Sequence, residues 1–418
     1  MWFIDYLTEY NRYLNIIGIF TIIGIAWICS RHKRHVNLRL VAGALFLQCA
    51  LAFFALKTTI GKSTIAAIAS GVEYLYQYAS VGTRFIFGNL ANGVDTSWGT
   101  VFALQILPMI IFFGAFMALL FHLGIVQRLV QAIGYVVRPI LGTTGAETLC
   151  AVANSFLGQT EAPLLIRNYL KHMTKSEILV VMVSGMGTIS GSILAVYASF
   201  GAPIQHLLAA SVMAIPASIM IAKILLPETE KTETGATTVG FEKSSTNVFD
   251  AISTGTSDGL HLTLNVAAML LSFIALIAMI NGCLGGLTNF VNAHTSLNLP
   301  TISLDYIFSW LFFPFGYLLG FTGVEASQIA ELIGTKVAIN EFVAYLKLVS
   351  MGLSERATTL TTYALCGFSN FSCIGIQVGG IGILVPEKRQ WLTELGLTAV
   401  LGGALSNLLT AMIAGLFI

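Results

Sequence analysis

Two glutamates in otherwise apolar surroundings, Glu161 and Glu341, are the residues of this 418-residue sequence that first invite a chemical reading. Asn154, Gln159 and Thr160 lead up to the first, Thr188 follows it, and Phe368, Asn370 and Ser372 follow the second. Carboxylates and amides accept hydrogen bonds from hydroxyl and ring N–H groups, and a phenyl face packs on a flat ring. Such a set suits a neutral, hydroxyl-rich, flat solute. No arginine cluster is available to neutralise a phosphate, which argues against an anionic one. The plainer reading of each glutamate is an ion pair with a basic residue at a helix end. Enzyme chemistry has little footing: no His-x-x-x-His, Gly-x-Ser-x-Gly or phosphate-loop pattern occurs. The six cysteines lie in apolar segments without paired metal spacing and read as buried apolar side chains.

The elements that must position these residues follow from composition. The chain is 56% hydrophobic and 10% charged, against roughly 25% charged in a soluble domain. It cannot cover itself in water. Charge-free stretches at 13–30, 40–56, 96–127, 178–222, 259–304, 306–324, 357–386 and 395–418 supply the apolar runs of about 20 residues that a helix needs to cross a bilayer. Eight crossings are predicted, near 14–30, 40–56, 100–122, 178–199, 204–226, 260–282, 357–385 and 395–417. Net charge is +1, so nothing suggests nucleic acid. The N-terminus carries Asp5, Glu9 and Arg12 and does not resemble a signal peptide. With these crossings, fourteen Lys and Arg, including Arg31, Lys33, Arg34, Arg39, Lys175, Lys223 and Arg389, fall on one side and seven on the other. The richer side is expected to be cytoplasmic, with both termini outside.

Residues 146–173 and 325–347 are too interrupted to cross. In the first, AETLCAVANSF is broken by Leu157-Gly158-Gln159-Thr160-Glu161 and restarts at Pro163, a residue suited to a first helical turn. Each arm spans only half the membrane, about 15 Å at about 1.5 Å per residue. The second, EASQIAELIG-TKVAIN-EFVAYLKL, reads as the same build around Gly334. Both are expected to be re-entrant hairpins whose polar tips meet at a buried site, since irregular backbone at membrane depth is tolerated only there. The helices that follow repeat each other: SGMGTISGSI (Ser184–Ile193) aligns with CGFSNFSCIG (Cys366–Gly375), pairing Gly185 with Gly367, Thr188 with Asn370 and Ser190 with Ser372. Small and polar residues in mid-helix suit a helix that opens there, although the glycines alone would equally serve close helix packing.

The fold class is therefore an all-α polytopic membrane protein, with eight transmembrane helices and two re-entrant hairpins in an inverted repeat with broken helices. Its divisions are predicted as 1–122, N-terminal scaffold helices; 123–226, first hairpin and following helices, repeat 1; 227–247, cytoplasmic linker; 248–324, scaffold helix and interfacial segments; and 325–418, second hairpin and following helices, repeat 2. Inverted repeats with broken helices at mid-depth point to a secondary transporter. A channel and an intramembrane enzyme are the rival classes. Saturable concentrative uptake separates the first, and a chemically altered solute would mark the second.

GQTEAPLLI (Gly158–Ile166), NEFVAY (Asn340–Tyr345) and CGFSNFSCIGI (Cys366–Ile376) resemble the signatures of the concentrative nucleoside transporter family, as do NLR at Asn37–Arg39, AAMLLSFIALIAMINGCLGG at Ala267–Gly286 and LSNL near the end. The resemblance implies symport into the cell of a nucleoside such as uridine with sodium, or in some members with a proton. It further implies an elevator-like movement, a homotrimer, and multi-pass residence in the cell (inner) membrane, with no cofactor beyond the coupling ion. By motif, Gln159, Thr160 and Glu161 correspond to residues facing the nucleobase, with Ile193 an apolar contact to it. Glu341, Phe368, Asn370 and Cys373 correspond to the group on the ribose. The same carry-over gives sodium the Asn154 side chain, the carbonyls of Leu157, Thr188 and Ile189, and the Thr188 hydroxyl, all oxygens that suit a hard cation. Cys373 stands where relatives tend to carry Ser, and Thr188 where Ser is more usual.

Overall fold

The computed structural model describes residues 2–91, 101–232, 234, 245–295 and 299–418, and every regular element among them is helical. Helices α1 (Trp2–Thr8), α2 (Arg12–Ile28), α3 (Leu38–Lys57) and α4 (Thr59–Phe87) open the chain. The short α5 (Phe102–Gln105) precedes α6 (Leu107–His122) and α7 (Ile125–Leu141), which Gly142 ends at a φ of 67°. The first hairpin follows. Its first arm, α8 (Gly145–Asn154), starts at a capping box in which Thr144 and Glu147 satisfy each other's backbone N–H groups. Its second arm is a 3₁₀ turn, Ala162–Ile166, with Pro163 in the first turn, continued by α9 (Arg167–Leu170).

Another capping box, Thr174 with Glu177, starts α10 (Lys175–Gly187). Residues 188–190 are not helical, and Ser190 caps the restart as α11 (Gly191–Ser199). Helix α12 (Ile204–Leu225) leads to the expected linker Pro227–Asn247, of which 233 and 235–244 lie outside the described residues. Helix α13 (Val248–His294) has 47 residues, about 70 Å at about 1.5 Å per residue, more than twice the ~30 Å of a hydrocarbon core. The predicted crossing at 260–282 is only its middle. Helices α14 (Leu304–Leu311) and α15 (Phe313–Leu318) precede the second hairpin, α16 (Gly323–Ala338) and α17 (Glu341–Ser350). Then come α18 (Glu355–Leu365), a non-helical stretch at 366–371, α19 (Ser372–Leu384) and α20 (Arg389–Phe417).

Seven helical runs among the described residues are long and apolar enough to cross a membrane, not eight. The one not among them is 357–385, where the longer break at 366–371 leaves two short helices, whereas the stretch Lys175–Ser199 counts despite its shorter break at 188–190. The second hairpin turns at Ile339–Asn340 and not at Gly334. Gly334 is an interior residue of α16 lying under Phe308 of α14; a Cβ there would stand 2.5 Å from Phe308 Cβ. Asn340 makes the real boundary, its Oδ1 accepting from the N–H of Val343 at 3.0 Å to cap α17.

The hairpins open from opposite ends of the bundle. At one end the Arg31 N–H donates to Leu225 O at 3.0 Å, and Lys388 donates to Met173 O. Here the base of the first hairpin is closed by a buried charge cluster: Lys223 meets Glu147 at 2.9 Å and Glu228 at 3.3 Å, and the Thr144 hydroxyl donates to Glu177 at 2.7 Å. At the other end Asn11 donates to Gly320 O at 3.2 Å, Arg356 to Gly415 O at 3.3 Å, and Ser354 N–H to Glu325 at 3.2 Å, at the base of the second hairpin. Between the ends, α10, α12 and α20 are the most deeply buried of the membrane-length stretches, with α2 and α3 packed on α12 and α20. Helix α13 packs along α6, where a Cβ on Gly255 would stand 2.6 Å from Gly114 O, an approach only small residues allow.

Candidate functional site

The tips of both hairpins and the two helix breaks meet at mid-bundle. The breaks touch directly, since Phe368 N–H donates to Thr188 O at 3.3 Å. Glu341, the first residue of α17, is 3% exposed. It accepts from the Tyr197 hydroxyl and from Asn370 Nδ2, both at 2.9 Å. Asn370 Oδ1 in turn accepts from the Ser372 hydroxyl at 2.6 Å and from Cys373 N–H at 3.1 Å. Gln159, at the tip of the first hairpin, donates to Cys373 Sγ at 3.2 Å and accepts from Gln377 at 3.1 Å. A continuous polar chain thus runs from one tip to the other.

The expected residues do not all join it. Thr160 packs on α19, its Cγ2 lying 2.6 Å from where a Cβ on Gly380 would be. Ile193 is buried in the first turn of α11, its N–H on the Ser190 hydroxyl at 3.4 Å. Glu161 lies deep in the protein but is not packed over: its side chain is open to solvent, and its carboxylate accepts from the Gly158 N–H of its own turn at 3.2 Å. The turn is tight enough for the side chain to fold back on its own backbone.

Beside this chain lies a pocket of oxygens. The Thr188 hydroxyl is 2.9 Å from Asn154 O and 2.8 Å from Ser184 O, and having one proton it donates to one of them. Asn154 Nδ2 donates to the Ser184 hydroxyl at 2.9 Å, which fixes the amide, and the buried Asn154 Oδ1 has no hydrogen-bond partner among the described residues. A buried acceptor without a donor is expensive. Gly191 N–H, on Phe156 O at 3.0 Å, holds the turn containing Leu157 against the segment containing Ile189. These residues fit a small hard cation.

Several polar partners escaped the sequence reading. Tyr197 holds Glu341, stacks on Tyr345 at 4.3 Å and 24°, and meets Phe342 edge-on at 5.1 Å. Gln377 donates to Gln159 and to Met182 O at 3.0 Å. Asn407 of α20 uses all its hydrogen-bonding capacity. Nδ2 donates to Gly187 O and Cys366 O, both at 2.7 Å, while Oδ1 accepts from Lys336 at 2.5 Å and from Ser369 at 3.3 Å. The lysine in a charge-poor hairpin arm and the asparagine of LSNL were the signals available. The paired glycines now have a reason. A Cβ on Gly185 would stand 2.8 Å from Gln377 Nε2, and one on Gly367 2.4 Å from Asn407 Oδ1. Each lies where an amide from another helix crosses.

Models of known families match along the chain: the Na+ dependent nucleoside transporter N-terminus over residues 17–90, nucleoside recognition over 103–204, and the Na+ dependent nucleoside transporter C-terminus over 206–415. Among curated relatives, the nucleoside permease NupC of Helicobacter pylori is 40% identical, covering 98% of this chain and 98% of its own. Sodium/nucleoside cotransporter 1 of Rattus norvegicus is 36% identical over 97% of this chain and 64% of its own length. Among solved structures, that of CNTnw in an inward-facing substrate-bound state superposes with a TM-score of 0.90 at 39% identity, covering 97% of each chain. On this agreement of sequence, fold and length, the chain belongs to the concentrative, Na+ dependent nucleoside transporter family.

Proposed function

We propose that the protein carries nucleosides such as uridine into the cell by symport with sodium, working by an elevator-type movement within a homotrimer of the cell membrane. The observation that carries this reading is the polar chain Gln159–Cys373–Asn370–Glu341 joining the two hairpin tips across the helix breaks. It presents a carboxylate, amides and a thiol to a hydroxyl-bearing solute, with Phe368 alongside to cover a ring face. Glu341 and Asn370 are assigned to the ribose; Gln159, Thr160 and Glu161 to the base, with Ile193 as its apolar wall. Sodium is assigned to Asn154 Oδ1, the Thr188 hydroxyl and the carbonyls of Leu157, Thr188 and Ile189. The orphaned Asn154 Oδ1 supports this. A bound ion would tie the first hairpin to the break in front of α11 and so complete the nucleoside site, which makes binding of the two mutually favourable.

In this mechanism the hairpins are re-entrant, and the two half-helices α18 and α19 count together as the eighth crossing. Helices α6 and α13 form the static frame. Helices α2 and α3, grouped with the scaffold in 1–122 by the sequence, pack on α12 and α20 and are better assigned to the moving body. Uridine uptake into proteoliposomes, with sodium replaced by choline at constant pH, tests the proposal. Uptake is expected to saturate in uridine and to require inward sodium. Full uptake without sodium, driven by acid outside, selects proton coupling instead.

A further inference from the structure

Lys336 is 1% exposed, and among the described residues no carboxylate lies within salt-bridge distance of it. Its ammonium instead donates to two neutral oxygens, Ala364 O at 2.9 Å and Asn407 Oδ1 at 2.5 Å. Only these two neutral oxygens and the charge of Glu341, acting from beyond salt-bridge distance, offset the hydration that this buried cation gives up. A role is therefore to be sought in what those oxygens are.

They belong to a helix end. Helices α10 and α18 both stop at mid-bundle, where the last carbonyls of a helix lack intrahelical donors and carry partial negative charge. The two ends are treated differently. In the first repeat, the end of the first hairpin arm brings Asn154 to the end of α10. Among the described residues no basic side chain bonds the oxygens gathered there, Asn154 O, Asn154 Oδ1, Ser184 O and the Thr188 hydroxyl. In the second repeat, the corresponding arm brings Lys336 to the end of α18. Asn154 meets Ser184 and Thr188, whereas Lys336 meets Ala364, two residues before Cys366, the partner of Ser184 in the alignment; each thus reaches the end of its half-helix, though not at matched residues. Both residues also sit a few positions ahead of the hairpin glutamate, Asn154 before Glu161 and Lys336 before Glu341.

We propose that the Lys336 ammonium is a built-in cation, occupying in the second repeat the place that the coupling ion takes in the first. Resting on the sodium reading above, it extends that reading: the covalent cation closes the second repeat's site to sodium and leaves a single exchangeable ion per cycle. It is a positioning residue. Its ammonium holds the second hairpin to the break through Asn407, next to the segment that carries Asn370.

The test replaces Lys336 by a side chain that offers sodium an oxygen. Uridine uptake into proteoliposomes is measured across a sodium series balanced with choline, for the parent and for Lys336→Asn. The parent is expected to show a Hill slope for sodium of about one, and Lys336→Asn a slope approaching two with higher half-saturating sodium. Sodium should also raise the melting temperature of detergent-solubilised Lys336→Asn more than that of the parent, a readout that survives loss of transport. Lys336→Met, which offers no ligand, should lose uptake at every sodium concentration. A Lys336→Asn protein with the parent's slope and no added sodium stabilisation overturns the proposal, as does Lys336→Met with the parent's uptake. A parent whose uptake ignores sodium overturns the symport reading itself, and it does so before any variant is made.

Discussion

Removing one oxygen atom, in Tyr197→Phe, isolates the bond that aims Glu341. The hydroxyl donates to Glu341 Oε1 at 2.9 Å inside the bundle. The ring is held independently by its stack on Tyr345 at 4.3 Å and its edge contact with Phe342 at 5.1 Å, so the substitution opens no cavity beyond the oxygen. A hydrogen bond to a charged group contributes about 1.5–3 kcal/mol. If that loss falls on uridine binding through a less well oriented carboxylate, the half-saturating uridine concentration rises about 10- to 150-fold, at about 1.4 kcal/mol per decade. The assay is sodium-driven uptake as a function of uridine, with calorimetric binding on the same protein in detergent. Tyr345→Phe is the control. Its hydroxyl donates to a neutral carbonyl, Thr362 O, at 2.9 Å, so it should lower the melting temperature slightly and leave uridine affinity alone. A Tyr197→Phe protein within about twofold of the parent, a difference below about 0.5 kcal/mol, would refute the assignment of Glu341 as a substrate-binding carboxylate held by Tyr197.

Gly367→Ala drives a methyl to 2.4 Å from Asn407 Oδ1; it should displace the amide that caps two helix ends, costing about 1–3 kcal/mol and most of the uptake, while Gly282→Ala, with nothing within 4 Å, should match the parent. Equal melting temperatures for the two would show that Asn407 moves aside freely. Glu341→Gln and Glu161→Gln should both reduce transport severely. Only the former should lower the melting temperature, because Glu341 is buried between two donors and Glu161 is exposed. An undisturbed rate in either variant returns that glutamate to a structural role. A small thiol reagent, applied for long exposures at mildly alkaline pH, should inactivate uptake, with saturating uridine slowing the loss. Cys373→Ser should keep uptake and lose that protected sensitivity, and protection surviving unchanged in Cys373→Ser would mean the thiol faces away from the solute.

Much of this centre could be read before its coordinates, and what could not has a physical pattern. The helix breaks were legible because Gly185, Thr188, Gly367 and Asn370 are poor mid-helix residues that recur at matched positions. Gly334 misled for the same reason. A glycine inside a helix signals either a break or a close neighbour, and only the ring of Phe308 above it decides between them. The actual turn was marked by Asn340, a good N-cap residue standing directly before Glu341. Glu161 is expected to be buried because irregular backbone at membrane depth calls for cover, yet whether a hairpin tip faces protein or an open space depends on elements elsewhere in the chain. Tyr197 and Gln377 lay beyond reach, and Lys336 and Asn407 were marked only by their residue type, all being single polar groups whose partners are distant in sequence, 144 residues for Tyr197 to Glu341 and 220 for Asn407 to Gly187. No local spacing marks such a donor.

The place of Asn407 in the chain has a bearing on biosynthesis. As the polypeptide emerges, the carbonyls of Gly187 and Cys366 are made long before the amide that satisfies them, which arrives only within α20. Until then two helix ends carry unsatisfied oxygens at a depth where water cannot relieve them. A nascent chain paused before residue 407 should accordingly hold its earlier helices in the bilayer without locking the two halves together. It would be open to quality-control proteases at the breaks, and a chain extended past that residue would close in one cooperative step.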